Sequence, residues 1–156
     1  MIRRAVVADA PAIGAIWNHA ISDTIITFTS QAKTLPQITD VITGATPCYV
    51  LDQDGVQGFA RYFPFRGGDG YRFSMEHTIM LTQAAQGKGA GRALLDVLCA
   101  DAKAAGTHTM HAGISAENQA AAKFHTVCGF QTLAILPEVG FKFGRWIDLV
   151  LMQKRL

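Results

Sequence analysis

Charge is scarce in this sequence. Only 17% of its 156 residues are Asp, Glu, Lys or Arg, and the formal net charge is +2. No strongly basic face is available to coat nucleic acid. No apolar run approaches the ~20 residues that span a bilayer. The opening stretch MIRRAVVADAPAI carries a basic pair but no apolar run of secretory length before Pro11. Cysteine is scarce too: Cys48, Cys99 and Cys128 are odd in number and form no C-x-x-C pair. They suit buried thiols in a reducing compartment better than a disulfide framework, so the expected location is the cytoplasm. No metal constellation stands out, because His108 and His111, three apart on a strand, point to opposite faces. G-x-S-x-G and Cys–His nucleophile signatures are missing.

What is present is apolar mass, 49% of the chain. That excludes disorder and supplies a core. The length argues for a single domain, residues 1–156, burying about 70% of its unfolded surface. Strands and helices alternate. Ile2–Val7 reads as a strand, and Asp9 as the N-cap of a helix with Ile13, Ile16, Trp17 and Ala20 on one face. Pro36–Thr43 is a short helix. Cys48–Leu51 and Val56–Phe63 flank the hairpin signal Asp54-Gly55. After the loop Gly67–Gly70 come a long strand, Tyr71–Leu81, and a strong helix, Ala90–Ala105, stopped by Gly106. His108–Ile114 reads as a strand, Asn118–Val127 as a helix, and Gln131–Ile135 and Trp146–Gln153 as strands joined by a glycine-rich excursion. The class is mixed α/β or α+β with one sheet.

The most informative segment is Gln86-Gly87-Lys88-Gly89-Ala90-Gly91-Arg92, which leaves a strand and opens a helix. Glycines admit a close ligand, and the free N–H groups and dipole of a helix start attract phosphate. The Walker pattern fails for want of G-x-x-x-x-G-K-[ST]. The dinucleotide pattern fails because Arg92 stands where a third glycine belongs. What remains is Q-x-x-G-x-G, either an anion cradle or merely a tight turn.

Period-two alternation places Arg72, Ser74, Glu76 and Thr78 on one strand face and Phe73, Met75, His77 and Ile79 on the other. Glu76 is either a general base, with Arg72 a carboxylate clamp, or half of a structural Arg72–Glu76 ion pair. An ordinary glutamate pKa of ~4.3 is low for deprotonating an amine, so burial or a water relay is needed. Asn118 and His125 are seven residues apart, close to two full helical turns, and share a face that excludes Ala121, Phe124 and Cys128. Asn118 is equally a plain N-cap, and His125 equally a structural histidine.

The order of these features, together with IWNHAI, SMEHTIML, QGKGAGRALL, AGISAEN, FHTVCGF and EVGFKFGRWIDLVLMQ, resembles the phosphinothricin or methionine sulfoximine N-acetyltransferase branch of the GNAT superfamily over nearly the whole chain. The resemblance implies the GNAT fold, a mixed central sheet of about seven strands flanked by helices. It implies acetyl-CoA as co-substrate, no metal, a small-molecule amine acceptor, a homodimer, and no nucleic-acid or membrane partner. Ile79, Met80 and Leu81 would pair with the pantetheine, Gln86, Gly87, Lys88, Gly89, Ala90, Gly91 and Arg92 would hold the pyrophosphate, and Asn118 would touch the cofactor arm. Glu76 would be the base, and His125 would protonate the leaving thiolate. Arg66, Gly67, Gly68 and Arg72, with Glu76, His77 and Thr78, would surround the acceptor. Phe141–Asp148 would lie near the partner's active site. Gln86 replaces an arginine common in relatives, and the stretch Lys33–Cys48 is shorter than theirs. The competing readings are acetylation of another small amine or a peptide N-terminus, which needs no cationic clamp, and a CoA-binding sensor that releases no thiol.

Overall fold

The computed structural model describes all 156 residues. Seven strands, β1 (Ile2–Arg4), β2 (Cys48–Asp52), β3 (Val56–Pro64), β4 (Ser74–Leu81), β5 (Thr109–Ser115), β6 (Gln131–Lys142) and β7 (Arg145–Arg155), form one sheet in the order β1-β2-β3-β4-β5-β7-β6. Four helices flank it: α1 (Ala10–Asp23), α2 (Leu35–Thr43), α3 (Ala90–Ala104) and α4 (Gln119–Val127). Every strand pair is antiparallel except β4–β5. This is the mixed sheet with flanking helices expected from the sequence.

Alternation along the strands splits the core in two. Leu51 and Ala60 point to the side where α3 lays Leu94, Leu95 and Leu98 against Met110 and Met152. Val50 and Phe59 point to the other side, where α1 and α2 contribute Ile13, Trp17 and Ile38. Each large apolar side chain so buried contributes about 1.5–3 kcal/mol.

Local chemistry moved several expected boundaries. β1 stops at Arg4 rather than Val7. Asp9 does not cap α1: it takes two hydrogen bonds from Arg3, at 2.7 and 2.9 Å, and one from the Val6 N–H at 2.8 Å. The long strand begins at Ser74 rather than Tyr71. Asp69–Tyr71 forms a 3-10 turn, and the Arg72 guanidinium donates to the Asp69 carbonyl at 2.9 Å. The last two strands are longer than expected. They close in a tight turn at Phe143-Gly144, with φ of 52° and 73°, and a bulge between Leu136 and Gly140 absorbs Pro137 and Glu138.

The parallel ladder is the decisive feature. It pairs only Ser74–Glu76 with Thr109–His111, although β4 runs on to Leu81 and β5 to Ser115. Beyond Glu76 the two strands splay apart. Leu81 anchors the far end of β4: it packs over Gly58 of β3 and lies 3.0 Å from where a Cβ on Gly91 of α3 would sit.

A Cβ on Gly58 would collide with Leu81 and approach the Met80 carbonyl to 2.9 Å. Gly58→Ala should therefore destabilise the protein by about 1–3 kcal/mol through overpacking, read as a lower urea midpoint at unchanged m.

Candidate active site

Backbone direction determines what the splay offers. Thr82 N–H donates to Gln57 O at 2.8 Å and Phe65 N–H to Ser74 O at 3.1 Å, so even-numbered residues of β4 turn their backbone groups toward β3. Odd-numbered residues turn theirs the other way, as His108 N–H to Phe73 O at 2.8 Å illustrates. Past the last rung, Ile79 and Leu81 therefore present N–H and C=O groups to the gap. Met80, expected alongside them, directs its backbone groups to β3 and its side chain to the α1 side.

The glycine turn follows at once. Gly87 and Gly89 have φ of 74° and 77°, and a Cβ on either would meet nothing within 4 Å. Gly89 is the N-cap of α3, and no side chain bonds the helix start. The first-turn N–H groups thus face open space flanked by exposed Lys88 and Arg92. Gln86 folds back, its side-chain amide donating to the Leu81 carbonyl at 3.4 Å. A diphosphate fits this cradle: it needs the donors the helix leaves free and the room the missing side chains leave.

Glu76 lies at the fork on the α1 side of the sheet. It is half-buried with no hydrogen bond and no ion pair, and burial alone raises its pKa above the usual carboxylate value. The Arg72–Glu76 pair is not formed, because Arg72 leaves the strand and stacks on Phe73, 4.3 Å from the ring centroid. Arg66 likewise projects outward over Tyr71. Both arginines, Gly67 and Gly68 are exposed, while Thr78 is half-buried on the Glu76 side. Sequence reasoning missed Gly113 of β5: a Cβ there would come within 3.1 Å of the Glu76 carboxylate oxygen. It also missed the setting of His111, which stacks on Phe65 with centroids 4.0 Å apart and hydrogen-bonds Met75 O and the Gln153 side chain, each at 3.1 Å. That histidine closes the base of the splay.

His77 and His125 meet on the other side. His125 is the one buried residue of α4. Its Nδ1–H donates to the Ala121 carbonyl at 2.7 Å, which leaves Nε2 as a lone pair. His77 Nε2–H donates to that lone pair at 3.2 Å, and His77 Nδ1 is buried without a partner. Burial lowers both pKa values, that of His77 to about 3. His77 therefore packs away from the acceptor side, and His125 at rest has no proton to deliver from Nε2. Asn118 is the N-cap of α4: its side-chain oxygen accepts from the Ala121 N–H at 3.1 Å.

His125→Phe leaves the His77 N–H buried and unpaired, so it should cost about 1–3 kcal/mol in urea unfolding. The folded pKa of His77 lies below its ordinary 6.5. The stability it supports is therefore complete above that value and is lost as pH falls toward 3. Unfolding free energy should decline with acidification below pH ~6.5, and His77→Leu should flatten that decline.

Residues 14–130 match the Acetyltransferase (GNAT) family. An L-amino acid N-acyltransferase, MnaT, of Escherichia coli is 39% identical over 99% of this chain and 93% of its own. The L-methionine sulfoximine/L-methionine sulfone acetyltransferase of Salmonella typhimurium is 38% identical over 99% of this chain and 94% of its own. A phosphinothricin acetyltransferase of Sinorhizobium meliloti, solved in complex with acetyl-CoA, superposes with a TM-score of 0.92 at 31% identity, covering 100% of this chain and 88% of that one. With a splayed parallel pair, an open glycine turn at a helix start, and these relatives along its full length, the chain belongs to the GNAT acetyltransferase family.

Proposed function

We propose that this protein transfers the acetyl group of acetyl-CoA to the primary amine of a small amino acid or analogue of the methionine sulfoximine or phosphinothricin kind. The observation that carries the reading is Glu76, a half-buried carboxylate with no partner, at the fork where the sheet opens. Acetyl-CoA, when bound, supplies an activated thioester. The free N–H groups from Gly87 to Arg92 would receive its diphosphate, and the backbone groups that Ile79 and Leu81 turn to the gap would hold its amide-bearing arm, the Leu81 carbonyl exchanging its long bond from the Gln86 side chain.

Glu76 takes the proton that an ammonium group must lose before it attacks. Its raised pKa narrows the gap to the amine, and a water it orients carries the proton across what remains. Gly113 gives the carboxylate its room. The neutral, mutually bonded His77 and His125 keep the opposite side rigid, so holding both substrates in line supplies much of the rate. His125 is assigned no proton transfer.

The β6–β7 hairpin supports a homodimer. Ile135, Val139, Phe141, Phe143 and Trp146 are each more than half exposed along it, and β6 is a sheet edge. A second copy is the occupant that gives this apolar edge cover. No helix is long and apolar enough to cross a membrane. Three free, buried cysteines support placement in the cytoplasm.

Glu76→Gln should lower kcat by about 10²–10⁴-fold while calorimetry shows acetyl-CoA affinity unchanged; equal turnover would remove the base role. The folded pKa of Glu76 lies above its ordinary value. Its ionisation therefore weakens folding as pH rises, and Glu76→Gln should be more stable than wild type at pH 7, with the difference shrinking on acidification.

A further inference from the structure

Two cations on the Glu76 side of the sheet have no acid beside them. Arg61 of β3 pairs across the ladder with Thr78, one same-face rung from the Phe63–Glu76 pair. Its guanidinium carbon lies 4.9 Å from the Phe63 ring centroid and 5.9 Å from that of Trp17. Lys33 places its ammonium 4.8 Å from the same Trp17 centroid. The Lys33 backbone is pinned to α1, its N–H donating to Asn18 Oδ1 at 2.8 Å and its carbonyl accepting from Asn18 Nδ2 at 3.0 Å.

Neither cation forms an ion pair or a side-chain hydrogen bond. The one group facing Arg61 from β2 that could carry negative charge is the Cys48 thiol, and burial pushes it up to about 12, so it stays neutral. Desolvation lowers the Arg61 pKa, a sign that the charge is held where water is thinned. His77 Nδ1 is the only fully buried side-chain nitrogen or oxygen without a partner, so the Arg61 donors still reach solvent and are open to a ligand. Two like charges converging on one indole call for an anion. A guanidinium fork fits a carboxylate bidentately.

Resting on the acetyltransferase reading, we infer that Arg61, assisted by Lys33, holds the carboxylate of the acceptor against Trp17 and Phe63 while Glu76 takes the proton of its amine. The spacing suits an α-amino acid. Two residues along β4 separate the Thr78 and Glu76 rungs by ~7 Å. An amine and carboxylate on adjacent carbons span that distance once a charge-assisted hydrogen bond of ~2.8 Å is added at each end. The clamp that the sequence suggested at Arg72 is therefore assigned one strand away.

The test compares transfer to L-methionine sulfone and to its carboxamide by wild type, Arg61→Met, Arg61→Lys and Lys33→Met, with folding checked by urea unfolding. Arg61→Met should raise KM for the free acid at least tenfold, leave KM for the carboxamide within twofold, and change kcat less than threefold. Lys33→Met should show a smaller effect with the same selectivity, and Arg61→Lys should restore part of the loss. Equal losses on both acceptors, or no loss, would overturn the assignment. Should wild type release no CoA with any primary amine, the acetyltransferase reading fails. Calorimetry with L-methionine sulfone then judges the subsite alone: binding lost in Arg61→Met or Lys33→Met sustains it, and binding equal in all proteins, or absent from wild type, overturns it.

Discussion

The structure depends on a parallel ladder that stops early. Three rungs hold β4 to β5, and then each strand finds its partner elsewhere, β4 on β3 and β5 on β7. Strands left unpaired in mid-sheet would ordinarily carry a cost in unsatisfied backbone groups. Here it is confined to the few groups that Ile79 and Leu81 turn to the gap, the ones the proposed function uses for the cofactor arm. The outer pairings hold each strand along its other edge, on both sides of the gap.

Around that gap the two faces of the sheet divide the labour. On the α3/α4 side of the fork sit two histidines, bonded to each other and to a helix carbonyl. The α1/α2 side carries the unpaired charges nearest the fork, a lone carboxylate and two cations around Trp17. Alternation along β4 enforces the separation, since neighbouring residues must point to opposite faces.

What could be read from the sequence was what depends on neighbours in the chain. The glycine turn declared itself through spacing, and Glu76 through an acid inside an otherwise apolar strand. Arg72 misled because Asp69-Gly70 extends the preceding loop by a turn, which carries the arginine off the strand before alternation can place it. His125 misled because seven-residue spacing gives a face but not what the face meets, and here it meets His77. Arg61 and Gly113 were invisible for the same reason: their significance lies in the register of β3 and β5 against β4. No local pattern encodes that register.

The connector between α1 and α2 is fastened at two points. Asn18 grips Lys33 near one end, and near the other the buried Lys142 ammonium donates to the Thr27 carbonyl at 2.7 Å, with Phe28 packed over Gly140 beside it. Burial lowers the Lys142 pKa, so this rivet couples a strand edge to a loop through a charge the interior disfavours. The hairpin tip and the Trp17 wall are thus tied to one loop, and the far rim of the sheet is joined to the Glu76 side by contacts that bypass the central strands.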